Sequence, residues 1–255
     1  MKAVFTAAVN TFEFGIVLGI VFEKQCLNYL YVLVMKKIRF LIGLIIVLVL
    51  SSCVEIIEDL TVHKDGSGVF KMTLNLSQSA TKITGLLALD SLNGKKVPSQ
   101  QEIQEKLTFY QNQFAKKEGI IAVNTSLDFE YYILKLNIAF EHLSNLQAAF
   151  ISIAEQDGIK NLDKYKAEQW ITINDSVFNK KTLPVFEIAS QRIKPEDKER
   201  LKEGSYISIL RLDDEVVAVS NPKAKLSANK KNVMLHHNPT DIINNPKTAT
   251  TRVRF

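Results

Sequence analysis

Cysteine is scarce in this chain. Its 255 residues include two, Cys26 and Cys53. The first lies in an N-terminal stretch set apart below and the second closes a leader, so the folded part has no pair for a disulfide and no thiol for a zinc site or a nucleophile. A core must hold it together, and the 203 residues from Cys53 to Phe255 suffice for one. Histidine is sparse too, with four residues. His236 and His237 are neighbours, and neighbours on a strand point to opposite faces, a poor arrangement for sharing a metal. His63 falls at a turn and His142 before a helix start, neither with a spaced partner. No cofactor is expected. A dominant charge is also missing: five of the 32 basic and two of the 27 acidic residues precede Cys53, which leaves a net charge of +2 after it. The basic balance belongs to the leader, and no nucleic-acid partner is indicated.

Long apolar runs are absent as well. Phe40 to Leu50 is uninterrupted, but as a helix it reaches about 16 Å at roughly 1.5 Å per residue, and a membrane span needs about 20 residues. What precedes and follows it gives it meaning. Met35-Lys36-Lys37-Ile38-Arg39 is a basic n-region, the run is the apolar h-region, and small residues lead to Cys53, the layout of a secretory signal peptide. Leu50-Ser51-Ser52-Cys53 resembles the lipobox of bacterial lipoproteins. The resemblance implies that Leu50, Ser51 and Ser52 are recognised by the signal peptidase, that the leader is cut before Cys53, and that the thiol carries acyl chains of the palmitate class. Two such chains make a stable anchor where one is marginal. The competing reading is a plain signal anchor with an incidental cysteine.

Residues 1–34 admit two readings. As a transmembrane helix they fail on Glu13, Glu23, Lys24 and Gln25, which cut the apolar residues into pieces too short to span. Translation from Met35 instead makes residues 1–34 an upstream extension, 35–52 the signal peptide and 53–255 a single domain. A two-span membrane protein is the alternative.

After Cys53, strands predominate. Val54–Val62, "HKDGSG" and "VFKMTLNL" read as a hairpin, with Phe70, Met72, Leu74 and Leu76 alternating against polar residues. Ser77 or Ser79 starts a helix over "ATKITGLLALDSL", and Ser99 caps a longer one with Ile103, Leu107, Tyr110 and Phe114 on one stripe and Gly119 as terminator. A second hairpin, "IIAVNTSLDF" and "YYILKLNIAF", precedes a helix capped by Ser144 or Asn145, with Leu146, Ala149, Phe150 and Ile153 inward. Strand pieces follow at "EQWITIND", "SVFNKKTLPVFEI", "SYISILRLDD", "EVVAVSN", "KNVMLHH" and "TTRVRF", with a charged helix near "PEDKERLKE". Short hairpins without regular strand-helix alternation predict an α+β fold, an antiparallel sheet with packed helices.

The order of leader, Leu-Ser-Ser-Cys, "VEIIEDLTVHKDGSGVFKMTLNLS", a helical middle and "YYILKLNIAFEHLSNLQAAF" resembles a group of lipoproteins of Bacteroidota-type bacteria, and more distantly the LppM-type lipoprotein domain. The resemblance implies class and location, a lipid-anchored protein of the cell envelope at the outer membrane, and no chemistry.

Motifs for catalysis are lacking. "KDGSG" misses the spacing and the Lys-Ser/Thr ending of a phosphate loop and reads as a turn. "DSLNGKK" reads as a loop. Glu55, Glu58 and Asp59 form an acidic cluster beside the anchor, either an export signal or a solubilising charge on the first strand. Trp170, Phe178 and Phe186 are expected in the core. The favoured class is therefore a non-catalytic module binding an envelope protein, a peptide or a lipid, marked by an apolar concavity. The alternative is a hydrolase of envelope polymers that would pair carboxylates from Glu130, Asp128 or Asp175 across a cleft.

Overall fold

The computed structural model describes residues 54–92, 94–159, 162–167, 169–174, 176–182, 198 and 201–255. The leader, the tetrad Leu50, Ser51, Ser52 and Cys53, and also Asp175 and Phe186, lie outside the described residues. Along the chain come β1 (Glu55–Val62), β2 (Gly68–Asn75), a 3-10 turn (Ser77–Ser79), α1 (Ala80–Leu87), β3 (Ser91–Leu92), β4 (Lys95–Lys96), α2 (Gln100–Ala115), β5 (Ile120–Asp128) and β6 (Ile133–Phe140). There follow α3 (Leu143–Gln156), α4 (Asp163–Ala167), β7 (Ile171–Asn174), β8 (Val177–Lys180), β9 (Ser205–Leu212), β10 (Ala218–Val219), β11 (Lys225–Leu226), β12 (Asn232–His237), α5 (Pro239–Asn244), a 3-10 turn (Pro246–Ala249) and β13 (Thr251–Arg254).

Alternation of side chains makes the strands. On β9, Tyr206, Ser208, Leu210 and Leu212 are buried while Ile207, Ile209 and Arg211 between them are half-exposed. Period-two patterning of this kind puts one face on the core. The strands build a seven-stranded sheet in the order β11-β12-β9-β1-β2-β6-β5 and a four-stranded sheet β10-β13-β8-β7. The fold is α+β, as the sequence predicts, but the large sheet is mixed: β1 and β9 run parallel, with Glu55 opposite Ser205 and Val62 opposite Leu212. A parallel pair needs a long crossover, and here most of the chain lies between its two members.

Local chemistry sets the turns and caps. The β1–β2 turn closes through Asp65, whose carboxylate accepts from the amide and hydroxyl of Ser67 at 2.9 and 2.6 Å. Gly66 supplies the positive φ of 85° that this turn requires. Ser99 caps α2 in a capping box: its hydroxyl accepts from the Glu102 amide at 3.1 Å, and the Glu102 carboxylate accepts from the Ser99 amide at 2.8 Å. That carboxylate, also paired with Lys96, is lowered to about 2, the lysine contributing most. On α3 the cap differs from expectation. His142, not Ser144 or Asn145, occupies the N-cap position, without a side-chain bond, so the helix starts two or three residues earlier than a polar cap would place it.

One core lies between the large sheet, α2, α3 and the smaller sheet, with Leu60, Phe70, Ile138, Phe140, Leu146, Trp170 and Phe178 among its members. Trp170 and Phe178 are thus core residues. A second cluster joins Tyr206 to Ile242, Ile243 and Ala249, where Asn238 caps α5 by accepting from the Thr240 amide at 2.9 Å.

Candidate ligand cavity

The apolar stripe of α2 does not fully seat on the sheet. Between α2, α3, strands β2, β5 and β6, and the loop after α3 lies a cavity of about 380 Å³, within the roughly 300–1,000 Å³ of small-molecule sites. Its sheet floor is Phe70, Met72, Leu134 and Leu136; its helical walls are Leu107, Phe114, Phe150 and Ile151; Ile159, Leu162, Tyr165 and Trp170 close one side. The lining is almost wholly carbon. Edge-to-face packing of Phe150 against both Phe70 (5.4 Å) and Phe114 (5.1 Å) stiffens the inner wall.

Polar groups hold the cavity open from its margins. Tyr110 on α2 donates to both carboxylate oxygens of Asp157, at 2.8 and 2.9 Å, so the middle of α2 is fastened to the end of α3. That bond, with burial and the negative charge, raises the Tyr110 pKa and keeps the phenol a donor. Gln111 accepts from the Thr125 hydroxyl at 2.8 Å and fixes α2 to β5. Gln147 on α3 exchanges two hydrogen bonds with the backbone of Ile171, at 2.9 and 3.1 Å, as a neighbouring strand would. Trp170 is thereby held against the cavity, and its indole N–H finds no acceptor among the described residues. A shallower cavity of about 420 Å³ adjoins, sharing Leu107 and Tyr110 and lined also by Lys96, Glu102 and Lys106.

Elsewhere the structure rearranges what the sequence suggests. Asp128 and Glu130 meet in the β5–β6 turn, but Asp128 accepts from the amides of Glu130 and Tyr131 at 2.8 and 3.0 Å and is occupied in shaping that turn. Neither lines either cavity. The acidic cluster at the start of β1 does not act as one. Glu55 accepts from Asn75 at 3.2 Å, and Asp59 pairs with Arg211 through bonds of 2.8 to 3.1 Å. Glu58 is 1% exposed, so it is neither a surface export signal nor a solubilising charge. Its carboxylate pairs with Lys180 Nζ at 2.5 Å, Lys180 donates to the Ser208 hydroxyl at 2.7 Å, and Tyr206 donates to the other carboxylate oxygen. Burial, with the carboxylate charge behind it, raises the Tyr206 phenol well above its ordinary range. This network joins the two sheets, and sequence reading missed it because no local pattern marks a lysine whose partner is 122 positions away. Among the described residues, no three His, Cys, Asp or Glu side chains are placed to hold a metal.

The histidine pair splits as strand geometry requires. His236 is exposed and bonds the Ser205 hydroxyl at 2.8 Å. His237 is 3% exposed with neither ring nitrogen partnered among the described residues. Burial, and next the Lys223 cation, lower its pKa. The folded chain therefore binds fewer protons here than the unfolded chain below the unfolded value of about 6.5. The sign follows: stability is intact above that pH and falls beneath it, by up to about 1.4 kcal/mol per unit, until the lowered folded pKa is reached. His237→Phe should flatten this decline. Unfolding free energies at about pH 7.5 and about pH 5.5 should differ more in the parent than in the variant, and equal differences would exclude His237 as the cause.

His63 lies 3.1 Å from Asp213 in an exposed pair. Among the described residues no helix is long and apolar enough to cross a membrane. Neither a protein-family model nor a curated protein matches this chain. A solved structure to which it is similar is the NMR structure of the folded domain of LppM from Mycobacterium tuberculosis. The match covers 80% of this chain and 90% of that one, at 11% identity and a TM-score of 0.34, a likeness too slight to carry an argument about function.

Proposed function

We propose that this chain is a non-catalytic binding protein of the bacterial cell envelope, held at the outer membrane by acyl chains on Cys53, and that it takes an apolar ligand into the cavity beneath α2 and α3. The leader and its Leu-Ser-Ser-Cys end support the address. The carbon-lined cavity carries the binding assignment. A carbon-lined concavity of that size leaves apolar side chains without partner atoms on one side, and an apolar occupant supplies them without leaving a polar group unpaired. Trp170 adds a buried donor, suited to a ligand with one acceptor among carbon atoms.

Filling the space tests the assignment. Trp170 is the sole tryptophan, so its emission reports on occupancy. Titration of the full chain with 1-N-phenylnaphthylamine, and separately with decanoate, should give a saturable change in that emission. Ala154→Phe, which puts a ring into the cavity from α3, should weaken binding at least about tenfold, or roughly 1.4 kcal/mol, with the fold retained. Unchanged affinity in a folded Ala154→Phe variant would remove the cavity as the site.

A further inference from the structure

Strand register shows which end of the domain faces the anchor. Glu55 lies opposite Asn75 on one side and Ser205 on the other, Asn75 lies opposite Ile133, and Ile133 lies opposite Asp128. The starts of β1, β6 and β9 and the ends of β2 and β5 therefore share one end of the large sheet. Val54, the residue after Cys53 in the chain, leads into β1 at this end.

Among the described residues, four of the eight exposed large apolar side chains belong to the segment that follows β2 and to the β5–β6 turn. α1 follows β2 at this end and is tied to it by the Thr84 hydroxyl, 2.9 Å from the Tyr132 hydroxyl. Not one residue of α1 is buried, although Ile83, Leu86 and Leu87 are on it. Leu86, Leu89 and Leu92 are 42 to 45% exposed, and Tyr131 in the β5–β6 turn is 52% exposed. An eight-residue helix is below the roughly 12–15 residues that are marginal in water, so α1 needs a partner for its apolar side. Attachment points to the kind of partner: in the anchored reading the lipid is on the residue before Val54, at this same end, while the face carries as many acids (Asp90, Asp128, Glu130) as lysines (Lys82, Lys95, Lys96). Exposed leucines with lysines beside them suit a surface that is apolar within and polar at its boundary.

We infer that α1, the β3–β4 ribbon and the β5–β6 turn dock on the lipid bilayer and bury Leu86, Leu89, Leu92 and Tyr131 at the headgroup boundary. The inference rests on the anchored reading above. It makes the domain a seated body with a fixed face to the membrane, not one swinging on a tether.

The test uses the full acylated chain on vesicles of phosphatidylcholine and phosphatidylglycerol, with Leu89→Trp, Tyr131→Trp and, at the far end of the sheet, Leu226→Trp. Flotation is read first. Brominated lipids should then remove roughly half of the emission added at positions 89 and 131, as suits side chains roughly 5–10 Å into the boundary, and none of that added at 226. A chain that fails to float overturns the anchor and the docking face together. One that floats with 89 and 131 unquenched, or with 226 quenched equally, overturns the docking face and leaves the anchor standing.

Discussion

Replacing Lys180 with methionine should lower the unfolding free energy by about 3–5 kcal/mol. The reason is desolvation. With Glu58 and Lys180 both nearly inaccessible to solvent, removal of the ammonium leaves a carboxylate that keeps its bond from Tyr206 and loses its counter-charge. That is a large part of the roughly 5–15 kcal/mol that holds a typical domain together, and at roughly 2–4 °C per kcal/mol the midpoint should fall by about 10 °C. Removing both charges is a different experiment. In Glu58→Leu/Lys180→Met no buried charge is left, and the remaining cost is the hydrogen bonds that the Tyr206 and Ser208 hydroxyls lose to Glu58 and Lys180, about 1–3 kcal/mol. Adding Tyr206→Phe should recover much of that. Urea unfolding of the solubilised full chain across this series gives the coupling directly. A loss below about 1 kcal/mol for Lys180→Met would show that the pair is wet in solution.

The same network shows where sequence reading stops. β8 ends in the polar pair Asn179-Lys180 and Lys181 follows it, and nothing nearby distinguishes Lys180, buried, from Lys181, exposed. The distinction comes from Glu58 and Ser208, which face each other across the parallel β1–β9 pair. That pairing is itself hidden, since hairpins announce themselves through turn residues and a parallel contact between distant strands has no such signal. The hairpins, the α2 stripe and the Ser99 cap were legible for the opposite reason: each is encoded within about a dozen residues. The cavity falls between these cases. Leu107, Tyr110 and Phe114 read plainly as an inward stripe, yet periodicity does not say how closely that stripe meets Leu134 and Leu136. Tyr110 carries a clue in hindsight, a polar tip on an apolar face. Its partner Asp157 lies past the end of α3, where no pattern ties it to α2.

Gly68→Ala should be the most damaging single methyl in the described domain, costing roughly 3 kcal/mol, the upper end of overpacking losses. Its φ is ordinary, and the constraint is space. A Cβ at this position would stand 2.1 Å from the Thr61 carbonyl oxygen and 2.8 Å from the tip of the Phe140 ring. Phe140 is wholly buried, and Gly68 is its partner across the β2–β6 ladder. The two obstacles can be separated. Phe140→Leu frees the ring side at its own cost of lost burial, but the Thr61 oxygen belongs to β1 and can move only if the β1–β2 pairing moves. Gly68→Ala should therefore remain destabilising in the Phe140→Leu background, with a cost reduced and not abolished. Full relief would show that the ring alone enforces glycine there. A loss that persists would show that backbone approach sets the requirement and that the hairpin next to the anchor has one allowed register. That register matters to both proposals, because β1 and β2 bring together the end of the sheet that carries α1, and β2 supplies Phe70 and Met72 to the cavity floor. A slip of one residue would turn both side chains to the opposite face.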